Sequence, residues 1–510
     1  MKRRGGLLLA LTLAVTATPA LAADVSAPVP VAIPASAEQW RAAAMRDVEA
    51  GYQLTRENHA GSYDTANPGF LHQLDKAREA GLALAAKVSD PAGYQAAIAR
   101  FTARIGDGHA GMYTVLPAEM APPMRWPGFI TAWRGDALYV YASEADGPAS
   151  GARLESCDGK PPRQLIDDNV FAFLGRADEA GNWWSNAHKV FIDVGNPFIT
   201  LPQRCQFSLG GERIESTLTW RAFSDQAGLW WAESEHGDGL AVGMTSPRAG
   251  LYWMAMPTFQ PDEKARDAYR AVNQEIIAHR QRYLNADAIV IDLRHNFGGS
   301  SDWSLQFAYA LWGKGRVSRR MKVYAPAQEV HWRASAANVE YAAWMADTLA
   351  AQDQQRMADG VRHIAAQMRA ALVRGDKYFI AGRDGAPATA EDRVVNLPSD
   401  PPAFTKPVYV IVPGQCTSAC LDALDVFTRF PNTKLIGAPS GADSSYLEVR
   451  TQKLESGLSY VIIPIKFYVN RPRANGQIYE PAIYVRDLKW TTAGMLDVVE
   501  HDLAARVDQP

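Results

Sequence analysis

Apolar and polar positions along the chain fall into three textures. From Glu38 to Ile105 the spacing is helical. After Asp90-Pro91, which reads as an N-cap and first-turn proline, Tyr94, Ile98, Phe101 and Ile105 recur on one face. The pattern ends in the loop Gly106-Asp107-Gly108-His109-Ala110-Gly111, so residues 38–111 are expected to form an N-terminal helical domain. Between Pro122 and Phe223 short strand-like stretches take over, at 137–142, 152–156, 206–209 and 215–220. Turn residues such as Asp158-Gly159 and Gly210-Gly211 separate them, predicting a small β-rich domain over 122–223. From Gly250 onward helix and strand alternate: helix over 262–283, strand over 288–293, helix over 304–312, strand over 408–412. This predicts an α/β core at 250–490. A strongly helical stretch at 328–373 interrupts it, within an insertion spanning 315–400. Its apolar faces at 339–349 and 361–372 need a partner, and the expectation is a lid over the cleft, with a dimerisation arm as the other use of the same faces.

The N-terminus has a different pattern. Lys2, Arg3 and Arg4 precede an apolar run from Leu7 to Val15 and then Ala20-Leu21-Ala22, which together read as a signal peptide over 1–22 and predict a periplasmic or secreted protein. No later stretch reaches the ~18 uninterrupted apolar residues of a membrane span. Losing three basic residues takes the formal charge from -3 to -6, which argues against a nucleic-acid partner. The 510 − 22 = 488 residues that remain exceed a single core. In an oxidising compartment the four cysteines can pair. Cys157 and Cys205, both in strand-like segments of the β-rich domain, are the candidate disulfide; Cys416 and Cys420 read equally as a bridge or as two buried thiols. Neither pair has metal-site spacing, and neither a metal nor an organic cofactor is expected. The oligomeric state stays open.

Two junctions carry the candidate chemistry. The buried run Ile289-Val290-Ile291-Asp292-Leu293 leads into Arg294-His295-Asn296-Phe297-Gly298-Gly299, a turn whose glycines let backbone N–H groups approach a ligand. The buried run at 408–412 leads into Gly414-Gln415-Cys416-Thr417-Ser418-Ala419-Cys420, with Ser418 where a helix starts. A serine there is either an N-cap or a nucleophile. Beside a parallel neighbour strand, Gly298, Gly299 and Ala419 are candidate oxyanion donors. A serine alcohol needs a base. Ten histidines are available. His109 stands in a glycine-flanked loop, His295 in the Gly-Gly turn, and His279, His331 and His363 read as solvated helical positions. For a carboxylate to orient the base, spacing leaves Glu480 and Asp107 among many.

The chain resembles the C-terminal processing peptidase and tricorn-core family of serine peptidases. Asp107-Gly108-His109 resembles that family's Asp-Gly-His element, and residues 152–166 resemble the strand, Asp-Gly turn and helix of a PDZ-like module. Residues 291–299 are similar to its Asp-x-Arg-x-Asn-x-Gly-Gly signature, and Thr417-Ser418-Ala419 to its nucleophile segment. The resemblance spans roughly residues 38–490 and implies a crotonase-like ββα core. Processing peptidases use a Ser–Lys dyad, but Asp443 stands where that lysine would be, and Lys434 and Lys453 are out of register. The tricorn type uses serine, histidine and a distal glutamate. His109 matches the histidine, and Glu480, 480 − 418 = 62 residues after the serine, lies in a segment similar to the glutamate's, with Tyr479 before it and Gly108 in place of an auxiliary serine. The resemblance implies a peptidase acting on peptide or protein substrates through Ser418, His109 and Glu480. The alternative is a catalytically inactive binder of hydrophobic ligands or peptides on the same fold, with tryptophans such as Trp183 and Trp184 lining its pocket.

Overall fold

The computed structural model describes residues 33–381 and 400–507. The predicted signal peptide, residues 23–32 after it and residues 382–399 of the insertion lie outside the described residues.

Ala288–Asp292 and Val408–Val412 are strands buried at every position, as uninterrupted β-branched runs are when both faces are covered. They pair in parallel, from Ile289 opposite Val408 to Asp292 opposite Ile411. The sheet runs in the order Ile483–Tyr484, Thr433–Gly437, Val408–Val412, Ala288–Asp292, Leu251–Ala255, Gly243–Arg248. Only the last pair is antiparallel. Side chains alternate between its faces. Ile289, Ile291, Val408, Val410 and Val412 pack with Phe307 and Leu311 of the helix Asp302–Trp312 and Leu421 and Leu424 of the helix Ala419–Phe427. Val290, Tyr409 and Ile411 face Trp184, Trp253 and Trp490. Five parallel strands therefore end at one edge, where loops gather for a ligand.

A second, antiparallel sheet is built on the long strand Ser459–Val469, which pairs with Tyr446–Lys453, Gly111–Thr114 and Glu329–Arg333; the last also pairs with Tyr378–Ala381. The helices Ala37–Asn58, Phe70–Ala85 and Pro91–Ile105 pack on this sheet, with Trp40, Tyr94 and Phe101 in one cluster with Val461, Ile463 and Ile465. The N-terminal helices thus share their core with the long strand Ser459–Val469. The loop bearing His109 is held between the third helix and the strand Gly111–Thr114.

The insertion departs from the expectation in two ways. Residues 329–333 form a strand, not helix, because Val330 and Trp332 bury one face against the long strand. His331 accordingly sits in that strand, 2.8 Å from Glu329, and not on a solvated helix. The helices Ala336–Ala351 and Gln355–Arg374 pack on each other through Met345, Leu349, Val361 and Ala365. Val339, Met368 and Ala371 then join the core of the N-terminal helices. Asn338 Nδ2 donates to Asn58 O and Arg333 Nη2 to Glu57 O. Their apolar faces are covered inside the chain, so these helices are a wall of the fold and not a lid.

Residues 129–217 form a five-stranded antiparallel sheet in sequential order. Cys157 and Cys205 face each other in register there and are bridged. The strand Phe129–Arg134, buried throughout, carries no alternation and was not predicted. Among the described residues no helix is long and apolar enough to cross a membrane.

Candidate active site

Ser418 occupies the turn between the strand Val408–Val412 and the helix Ala419–Phe427, with φ 55° and ψ −128°. Positive φ is unusual for a residue with a Cβ. Its side chain makes no capping hydrogen bond, so the N-cap reading fails on geometry. Cys416 and Cys420 are joined in a disulfide across it, both sulfurs fully buried. Thr417 O accepts from Cys420 N at 3.0 Å and Ser418 O from Leu421 N at 2.9 Å, which close the first turn around the serine. Ala419 N–H, at the first position of the helix, has no intrahelical acceptor by construction.

The Gly-Gly turn lies against this serine. A Cβ on Gly298, whose φ is 100°, would stand 2.8 Å from Ser418 Cβ and 3.1 Å from Ala419 N. Only glycine permits that approach. The Gly298 N–H is not an oxyanion donor, however: it donates to Asn296 Oδ1 at 2.8 Å, and Asn296 Nδ2 in turn donates to Met256 O. Gly299 pairs with Phe259 through Phe259 N to Gly298 O and Ser300 N to Phe259 O, bonds that leave the Gly299 N–H uninvolved. Ala419 N–H adjoins Ser418 directly, and Gly299 N–H follows one residue after the glycine packed on that serine. The charged part of the same motif is structural. Arg294, fully buried, bonds both oxygens of Asp292, Asp238, Trp490 O and Thr492 Oγ1, tying this turn to the C-terminal segment.

His109 enters from the loop before Gly111–Thr114, and its Nδ1 lies 3.0 Å from Asp443 Oδ1. Burial alone would favour the neutral ring. Asp443, then Asp107 and Asp422, outweigh it and push the imidazole up to about 9. Asp422, whose charge His109 senses, lies one turn into the helix that Ser418 opens. Asp107 does not orient the ring. Its oxygens take His59 Nε2 at 2.8 Å, Ser444 Oγ at 2.8 Å and His109 N at 3.1 Å. Burial would raise Asp107, but the His59 bond and charge hold it below its usual range.

Glu480 is exposed, and its carboxylate accepts from Tyr484 Oη. Asp443, and not Glu480, is the carboxylate against His109, carried there by the loop after Thr433–Gly437. Sequence reasoning noted Asp443 only as the residue in a lysine's place. An acid there, in a chain with a histidine at the Asp-Gly-His position, is the signal that would have found it. Lys434 is paired with Asp502 at 2.6 Å. A buried lysine also escaped notice: Lys466 lies 2.9 Å from Glu448. Burial would lower its pKa, but Glu448 and Tyr468 raise it, the opposite of what a lysine base requires. His295, at φ 67°, has its ring 4.8 Å from that of His236, tilted by 39°. Trp183 and Trp184 are core residues of the β-rich unit and of the parallel sheet.

The described residues hold an alcohol on a strained turn, an imidazole with a carboxylate on its Nδ1 side, and a glycine turn packed on the serine. Residues 253–484 match peptidase family S41. Among solved structures the chain is similar to mature CPAF, at 13% identity and a TM-score of 0.60 over 92% of this chain and 99% of that one. It is likewise similar to mature CPAF complexed with lactacystin, at 14% identity and a TM-score of 0.58 over 91% and 98%. No curated protein matches it. The matched residues hold both junctions, the Gly298-Gly299 turn and Ser418, and over that span the chain is similar to peptidase family S41.

Proposed function

We propose that this protein is an exported serine peptidase that forms an acyl-enzyme at Ser418 with His109 as base. Its parallel core is read as crotonase-like and the sheet at 129–217 as PDZ-like. Ser418 Oγ attacks the scissile carbonyl while His109 Nε2, the nitrogen turned away from Asp443, takes the proton. Ala419 N–H and Gly299 N–H receive the oxyanion. The imidazolium, held by Asp443, returns the proton to the leaving amine, and water then repeats the sequence on the ester. The steps use side-chain and backbone groups alone. Export is supported by the signal-like N-terminus together with two disulfides, which persist in oxidising compartments.

One observation carries the reading: Ser418 holds a strained backbone, caps nothing and faces Gly298 at contact distance. A fluorophosphonate probe tests it. Labelling of Ser418 in the native protein, abolished in Ser418→Ala, is expected; an unlabelled serine in a folded protein at pH 9 would instead favour a ligand-binding protein on the same fold.

A further inference from the structure

The two halves of the His109–Asp443 pair come from different parts of the chain. His109 follows the third N-terminal helix, and Asp443 follows a strand of the parallel sheet. A third segment, residues 176–182 of the β-rich unit, touches both. Arg176 Nη1 donates to Gly106 O at 2.6 Å, three residues before the histidine. Glu179 Oε1 accepts from Ala442 N at 2.8 Å, one residue before the aspartate. The other oxygen, Glu179 Oε2, takes Asn182 Nδ2 at 2.7 Å and lies 3.8 Å from Arg176 Nη2, so the two anchors brace each other. Close packing finishes the contact. A Cβ on Gly181 would stand 2.4 Å from Gly441 Cα and 2.5 Å from Gly414 O, which places this segment against the loops of both Asp443 and Ser418.

We propose that Arg176 and Glu179 are positioning residues that clamp the His109 loop and the Asp443 loop at a fixed separation, so that the β-rich unit sets the geometry of the catalytic pair. The proposal rests on the reading of His109 and Asp443 as that pair. A backbone N–H donating to the Glu179 carboxylate and the Arg176 guanidinium donating to a backbone carbonyl fix loops more firmly than apolar contact, because both bonds are charge-assisted. Neither side chain reaches the reacting atoms.

Electrostatics and position make opposite predictions at Arg176. His109 is faced by Asp443, by Asp107 with its partner His59, and by Asp422 with Arg471 and Arg473. Glu179 is faced by Arg176, Asp178 and Asp443. Removing the Arg176 charge alone would raise the His109 pKa. Releasing the loop instead separates His109 from Asp443 and lowers it toward the ordinary ~6.5. The test is the titration of the His109 imidazole by NMR in the full chain. Arg176→Met is expected to lower its midpoint by one unit or more, and to cut kcat about tenfold with KM little changed. Glu179→Ala should do the same, while Glu179→Gln, which keeps an acceptor for Ala442 N–H without the charge, should restore most of both. An unchanged or raised midpoint in Arg176→Met, or equal effects of Ala and Gln at Glu179, overturns the clamp. Should Glu179→Ala not fold, Arg176→Met and Glu179→Gln still decide it. The titration needs no turnover, so a chain without peptidase activity would sink the proposed function and leave the clamp testable.

Discussion

Ser418 holds φ 55° and ψ −128° without a side-chain bond in return. Such a conformation costs a residue with a Cβ about 1–3 kcal/mol. Ser418→Ala should therefore abolish turnover and leave thermal unfolding almost unchanged, since no cap is lost. Ser418→Gly should be inactive and about 1 kcal/mol more stable to denaturant, because glycine relieves the backbone. A destabilised glycine variant would show that the turn is not strained. His109 sets a second expectation at this scale. Its pKa is pushed up to about 9, so at neutral pH the resting imidazole is mostly protonated and cannot accept a proton. The acidic limb of kcat/KM should lie near that value, well above the ordinary histidine, and Asp443→Asn should shift it downward. A limb that stays in place in Asp443→Asn would remove Asp443 from the pair. For stability the sign is the reverse. A raised folded-state pKa means the ion pair stabilises the protein fully below about 6.5, and that contribution is lost as pH rises through about 9.

Helix starts and strand ends bring these residues together. The Cys416–Cys420 bridge closes the short segment around Ser418 and joins the turn to the first turn of its helix. Closing so short a loop is worth about 2 kcal/mol in the chain-entropy account. Replacing both cysteines by alanine should lower stability by about that amount and slow fluorophosphonate labelling of Ser418 several-fold. Unchanged labelling in a destabilised protein would make the bridge a staple with no part in presenting the serine. The parallel pair Ala288–Asp292 and Val408–Val412 supplies the other constraint, since its register decides that Gly298 meets Ser418.

At the scale of the molecule, the helices Ala336–Ala351 and Gln355–Arg374 belong to the core that also holds the His109 loop. Met368 is fully buried among residues of the N-terminal helices and the antiparallel sheet. Met368→Ala should cost about 2–5 kcal/mol. Cutting out the helical pair should lower the melting temperature and activity together, with no gain for bulky substrates. Faster cleavage of large substrates by a stably folded shortened chain would restore the lid.

Much was legible in the local pattern. Runs of β-branched residues mark 288–292 and 408–412 as doubly covered strands, because burial on both faces leaves no polar alternation. Glycines at 298 and 299 and the serine at a strand-to-helix junction point to one reacting locus. Period and composition alone decide such features. They do not report which loops meet. That Asp443 and not Glu480 faces His109, that Asn296 occupies the Gly298 N–H, and that 329–333 forms a strand all depend on contacts between distant segments. The sequence by itself determined the alternating core and its two junctions, since each rests on neighbouring residues. Only the tertiary structure decided the carboxylate beside His109 and the acceptor of the Gly298 N–H, because a polar contact is chosen by distance and direction across the fold, neither of which sequence spacing encodes.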